Sequence, residues 1–177
     1  MSDTEHEACA ACGFDGSLYD DVALLASIGE LGARWRGILS EAGSDLRTRP
    51  DRKTWSAIEY AAHSRDVTAL HVFGIEQALT EDEPSYPAID GDALIDSAAA
   101  TYADEDADAV VAELDREACR LQGVAASAGA PLWWRGLTIG EHRSTIRRML
   151  EHALHDSTHH LQDVQRGLAT VRTRERS

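Results

Sequence analysis

The sequence predicts an all-α protein built as an antiparallel four-helix bundle. Strand signals are scarce: only 6% of the residues are aromatic, and there is neither sustained period-2 alternation nor an Asn-Gly hairpin turn. Apolar residues recur instead at helical spacing in four long segments. Connections of moderate length join those segments, as in a bundle of antiparallel helices.

The first helix is expected over about residues 19–41, with Val22, Leu25, Ile28, Trp35, Ile38 and Leu39 inward. Gly29, Gly32 and Gly37 weaken it, each by up to about 1 kcal/mol against alanine. A polar connector fills residues 42–53. The second helix has the sharpest start. Ser56 and Glu59 form a Ser-x-x-Glu capping box, and Trp55 and Tyr60 flank it as a hydrophobic staple. It should run to about Leu79, ahead of Pro84 and Pro87. Residues 91–101 carry no decisive signal.

The third helix is expected over about residues 104–127. Val110, Val111, Leu114, Cys119 and Leu121 are its apolar set, and the acids of residues 104–108 crowd the favourable end of its dipole. Gly129 and Pro131 break the chain. Thr138, paired with Glu141, is expected to cap a fourth helix reaching about Gly167, with residues 172–177 frayed. The chain thus divides into an N-terminal Cys-x-x-Cys appendage (1–17), the bundle (18–168) and a flexible tail (169–177).

Composition excludes several function classes. The chain has 177 residues, 43% of them hydrophobic, too many for a disordered chain. No apolar run approaches the roughly 18 residues of a membrane span, and the acidic N-terminus lacks the apolar core of a secretory signal. A net charge of −14 repels nucleic acid and anionic membranes. Three cysteines are too few for a disulfide framework. The expectation is a soluble, cytoplasmic protein. Residues 131–177 depart from the acidic balance with 8 basic and 5 acidic side chains, and five of the eight histidines lie between His142 and His160.

That clustering is the main functional lead. With Val164 at the centre of the fourth helix's apolar stripe, His160 lies about 40° away, Asp156 about 80°, His159 about 140° and His155 about 180°. Two i,i+4 pairs are available as chelates. Asp156/His160 leans inward, whereas His155/His159 is expected on the solvated face with His142 and His152. On the second helix His63 shares a stripe with Val67, Leu70 and Gly74, so in an antiparallel packing it can meet Asp156 and His160. Three N/O ligands with an open position suit a catalytic zinc or another divalent metal. Taken singly, His63 also fits a hydrogen-bonded core histidine and Asp156 a surface acid.

The segments Trp55–His63 (WSAIEYAAH) and His155–Val164 (HDSTHHLQDV) resemble the DinB/YfiT-like superfamily and the related N-terminal domain of mycothiol-dependent maleylpyruvate isomerases. The resemblance rests on the Trp eight residues before the second-helix ligand, matched by Trp55 and His63. It rests also on a fourth-helix pattern matched by His155, Asp156, His160, Asp163 and Val164, with Asp156 where glutamate is usual. It implies a four-helix bundle, a divalent metal (zinc foremost, nickel or iron as alternatives) on His63, Asp156 and His160, and a low-molecular-weight thiol such as mycothiol as co-substrate. The implied activity is a metal-dependent thiol S-transferase or isomerase acting on a small electrophile. The alternative is a non-catalytic metal-binding or stress-related bundle. Partners are then a small-molecule substrate and the thiol, with no nucleic acid or membrane; a homodimer is compatible. Trp133, Trp134, Arg135 and Arg143, just before the fourth helix, are candidates to line a substrate pocket or bind carboxylates, or else a hydrophobic plug and surface ion pairs.

Cys9 and Cys12 have the spacing of half a zinc site, to which His6 is a candidate third ligand. A flexible tail with two free thiols fits equally. Cys119 is expected as a small buried hydrophobe of the third helix.

Overall fold

A computed structural model describes residues 6–88 and 101–176; most of the undecided stretch 91–101 falls outside them. The chain is a four-helix bundle whose first leg is broken in two, α1 (Asp21–Gly29) and α2 (Leu31–Ala42), followed by α3 (Ala57–Thr80), α4 (Ala107–Ala128) and α5 (Ile146–Glu175). Two antiparallel pairs make it up. The first leg opposes α4, with Gln122 donating to the Leu25 carbonyl (2.9 Å) and Arg36 reaching Asp115 (3.8 Å). Helix α3 opposes α5, with His63 beside His160 and His71 beside His152. The pairs lie side by side with α3 and α4 running the same way, so Arg65 meets Glu113 and Glu76 meets Arg120.

The first leg breaks at Glu30, and its buried stripe becomes Leu24, Ile28, Leu31, Trp35, Ile38 and Leu39. Val22, expected inside, is 78% exposed because it lies off that stripe in the opening turn. Gly32 has a packing reason: a Cβ there would lie 2.6 Å from the Asp115 Cα, so only glycine lets this leg approach α4 so closely. In α3 the cap residues Ser56 and Glu59 are joined as expected. The Glu59 carboxylate accepts from the Ser56 amide (2.9 Å) and hydroxyl (2.7 Å), and Arg49 clamps its other side. Burial opposes the Glu59 charge, but Arg49 and Ser56 hold the carboxyl below its ordinary range.

The fourth helix starts later than expected. Thr138 lies in β4 (Gly136–Ile139), which pairs antiparallel with β5 (His142–Thr145) and parallel with β3 (Ser85–Tyr86). Gly140 takes φ +60 in the two-residue turn, which a helix through Thr138 and Glu141 could not accommodate. Thr145 is the cap instead, accepting from the Arg148 amide at 3.1 Å. At the other end α5 continues to Glu175 rather than fraying: Arg172 bonds Asp45 (3.1 Å) and the Glu41 carbonyl (2.5 Å), and Arg174 bonds the Pro50 carbonyl. Cys119 is exposed, not buried; Ala118 and Leu121 hold the core positions.

The described residues ahead of α1, from His6 onward, contact α5 through His6, Glu7, Cys9 and Cys12. A hairpin of β1 (Ala8–Cys9) and β2 (Phe14–Asp15) puts Phe14 into the core. Fully buried Glu151 on α5 accepts from the Glu7 amide (2.8 Å) and Arg147 (2.6 Å) and contacts His6 (2.8 Å). Arg147, also buried, reaches Asp21 and the Tyr19 carbonyl at 2.6 Å each, so this charge pair is fully partnered.

Candidate metal centre

Helix α3 delivers His63 in its second turn and α5 delivers Asp156 and His160 one turn apart. The structure brings the three together. Asp156 Oδ1 lies 3.4 Å from His160 Nε2 and 3.8 Å from His63 Nε2, and one donor atom from each residue falls within 4.8 Å of the others. Asp156 Oδ2 is buried and has no hydrogen-bond partner. An orphaned buried carboxylate oxygen is costly unless something positive meets it. Two imidazole nitrogens, a carboxylate and that orphan fit a divalent cation of the zinc, iron or nickel type.

The surroundings fix the donors. His160 donates its Nδ1–H to Asp163 (3.0 Å), itself held by Arg166 (2.6 Å), which turns His160 Nε2 toward Asp156. Burial opposes the Asp156 charge, but His160 and His63 hold the carboxyl far below its ordinary range. Burial also disfavours charge on His160, yet Asp156 and Asp163 outweigh it and raise the imidazole to about 9. Trp55 stands edge-on to His63 (5.3 Å between centroids) and Tyr60 lies over His160 (5.0 Å), so two aromatic rings wall the cluster. Its members keep some exposure, 21% for His63 and 20% for His160, leaving an approach from solvent.

His63 belongs to the flank of α3 rather than its core stripe. Leu70, assigned inward with it, is 43% exposed, while Ile58, Ala61, Val72 and Ile75 are buried. The residues ahead of α5 are not neighbours of the cluster. Arg135 donates to the Leu79 and Glu81 carbonyls (2.8 and 2.7 Å) at the end of α3, about 24 Å of helix from His63. Trp133 is buried with its Nε1–H on the Ala125 carbonyl (3.0 Å), and Arg143 pairs with Glu83 (3.3 Å). Trp134 is half exposed, edge-on to His6.

A second constellation escaped the sequence reading. His155 and His159, expected on a solvated face, lie beneath the N-terminal hairpin with Cys9 and Cys12, and the four donor atoms fall within 4.8 Å of one another. His159 Nδ1 is 3.7 Å from Cys9 Sγ. The Cys12 amide, with His159 and His155 beside it, draws the Cys9 thiol down to about 6, whereas burial pushes Cys12 up. The signal in the sequence was the combination of Cys-x-x-Cys and His-x-x-x-His. Nothing in either motif says that the hairpin docks there.

Neither a protein-family model nor a curated protein matches the chain. Among solved structures it is similar to YfiT from Bacillus subtilis, described as a probable metal-dependent hydrolase with an unusual four-helix bundle topology. The TM-score is 0.72 at 16% identity, covering 84% of this chain and 87% of that chain. The two share the fold.

Proposed function

We propose that the chain is a metal-dependent enzyme acting on a small molecule, with one divalent cation held by His63, Asp156 and His160. The observation that carries this reading is the orphaned Asp156 Oδ2 beside two converging imidazoles. A cation with three protein ligands would lower the pKa of a thiol or water taking its remaining position. The chain's own residues supply the rest. Asp163 holds the His160 tautomer, and Trp55 and Tyr60 shield the site on the α3 side.

The resemblance of WSAIEYAAH and HDSTHHLQDV favours a thiol of mycothiol type as the nucleophile, transferred to or isomerising a small electrophile. The fold shared with YfiT supports a second reading, hydrolysis by water. Among the described residues no helix is long and apolar enough to cross a membrane.

Elemental analysis of wild type and His63→Ala purified without added metal tests the ligand assignment independently of activity. Loss of one equivalent in the variant is expected; equal metal content would overturn it. Conjugation of thiols to a generic electrophile, run beside hydrolysis of activated esters and amides, separates the two nucleophiles. A metal-dependent rate in the first assay alone supports the thiol.

A further inference from the structure

We propose that Cys9, Cys12, His155 and His159 form a four-coordinate zinc site that ties the N-terminal hairpin to α5. It is separate from the His63 cluster and does not depend on what that cluster does. Two thiols and two imidazoles from two distant parts of the chain already lie with their donor atoms within 4.8 Å. A tetrahedral zinc, with Zn–S about 2.3 Å and Zn–N about 2.0–2.1 Å, needs them only slightly closer.

The hairpin is shaped for it. The Gly13 amide donates to the Cys9 carbonyl at 2.9 Å, and Gly13 takes φ +76, a turn that brings the Cys12 thiol back beside Cys9. The histidines are oriented from behind. His155 donates its Nδ1–H to Glu7 (3.0 Å), leaving Nε2 as the acceptor nitrogen, and that Nε2 is buried with no hydrogen-bond partner. His159 presents Nδ1 to Cys9, and its Nε2 lies 3.7 Å from Asp163. Each imidazole therefore has a carboxylate on the nitrogen facing away from the thiols, the arrangement that supports metal-bound histidines.

The donor set decides the metal class. Two thiolates with two imidazoles select zinc over magnesium, calcium or manganese, and four protein ligands leave no position for substrate. On binding, both thiols release their protons to solvent and no electrons move. The role is structural: the ion would fasten the segment that carries Phe14 into the core and supplies Glu7 and the Glu151 contacts.

The full chain, purified under reducing conditions without added metal, provides the test. The double variant Cys9→Ser, Cys12→Ser should lose one zinc equivalent per chain that His63→Ala retains. Wild-type zinc content in the double variant would overturn the proposal. A second measurement does not require any variant to fold. Cobalt(II) added to metal-stripped wild type should give a thiolate-to-cobalt charge-transfer band and intense tetrahedral d–d bands, both bleached by zinc. Weak octahedral bands without charge transfer, or a Cys9–Cys12 disulfide persisting through reduction, would overturn it equally.

Discussion

Adjacent faces of α5 carry two constellations of the same spacing shifted by one residue. Asp156/His160 meets His63 of α3, a helix-to-helix encounter with three donors and an approach from solvent. His155/His159 meets a hairpin from the other end of the sequence, with four donors and a buried, unpartnered Nε2. Three ligands leave room for chemistry and four close the ion off. A one-residue shift along α5 thus separates a three-donor cluster open to solvent from a four-donor cluster under the hairpin, and the partner segments make the difference.

The largest effect is expected where the hairpin face is anchored by other means. Glu151→Ala removes the acceptor of the Glu7 amide and leaves buried Arg147 with only Asp21 and the Tyr19 carbonyl. It should cost about 3–5 kcal/mol in denaturant unfolding and uncover the N-terminal segment to protease. Wild-type stability would mean that the Cys–His cluster alone holds the hairpin. The variant also asks whether the two faces are independent: metal at His63, Asp156 and His160 should survive it.

Asp163 is the residue the two faces share, 3.0 Å from His160 Nδ1 and 3.7 Å from His159 Nε2. Asp163→Asn should weaken metal at both clusters by about 10–100-fold, whereas Glu7→Gln, on a carboxylate that meets His155, His152 and Arg148 but neither His159 nor His160, should weaken the Cys–His cluster alone. Competition with a chromophoric chelator reads both affinities. Equal losses at both clusters in Glu7→Gln would dissolve the distinction between the faces.

The contrast also explains what could be read in advance. The bundle followed from apolar spacing and from the Ser56–Glu59 box, which are local. The placement of Asp156 and His160 followed from the α5 wheel, because a helix fixes its own side-chain directions. Thr138 misled because a cap motif and a hairpin strand share β-branched and polar residues, and the positive φ of Gly140 decided between them. The parallel run of α3 and α4 depends on long connections with no local signature. His155 and His159 looked solvated since periodicity marks what a helix turns toward its neighbours, not what a distant hairpin lays over its outer face.

The smallest expected effect concerns how the row of imidazoles ends. From His160 the rings continue through His159, His155 and His152 to His71, each neighbour within 6 Å between centroids. His71 donates its Nδ1–H to the Val67 carbonyl at 2.7 Å. Burial lowers it to about 4, with His152 adding repulsion and Asp156 and Glu7 opposing. The folded protein therefore keeps His71 neutral at pH values where the unfolded chain, titrating near 6.5, takes up a proton. Protons favour the unfolded state, so stability is lost as pH falls from about 6.5 toward 4. Between pH 7 and pH 5 the loss due to His71, reduced by its partial exposure, should be about 1–2 kcal/mol. His71→Phe keeps a ring against His152 and removes the titration, so urea midpoints of wild type and variant should diverge as the pH falls, with the variant less sensitive. Parallel curves would show that His71 charges freely in the folded state, and the far end of the row would then belong to the solvated surface rather than to the face that the hairpin covers.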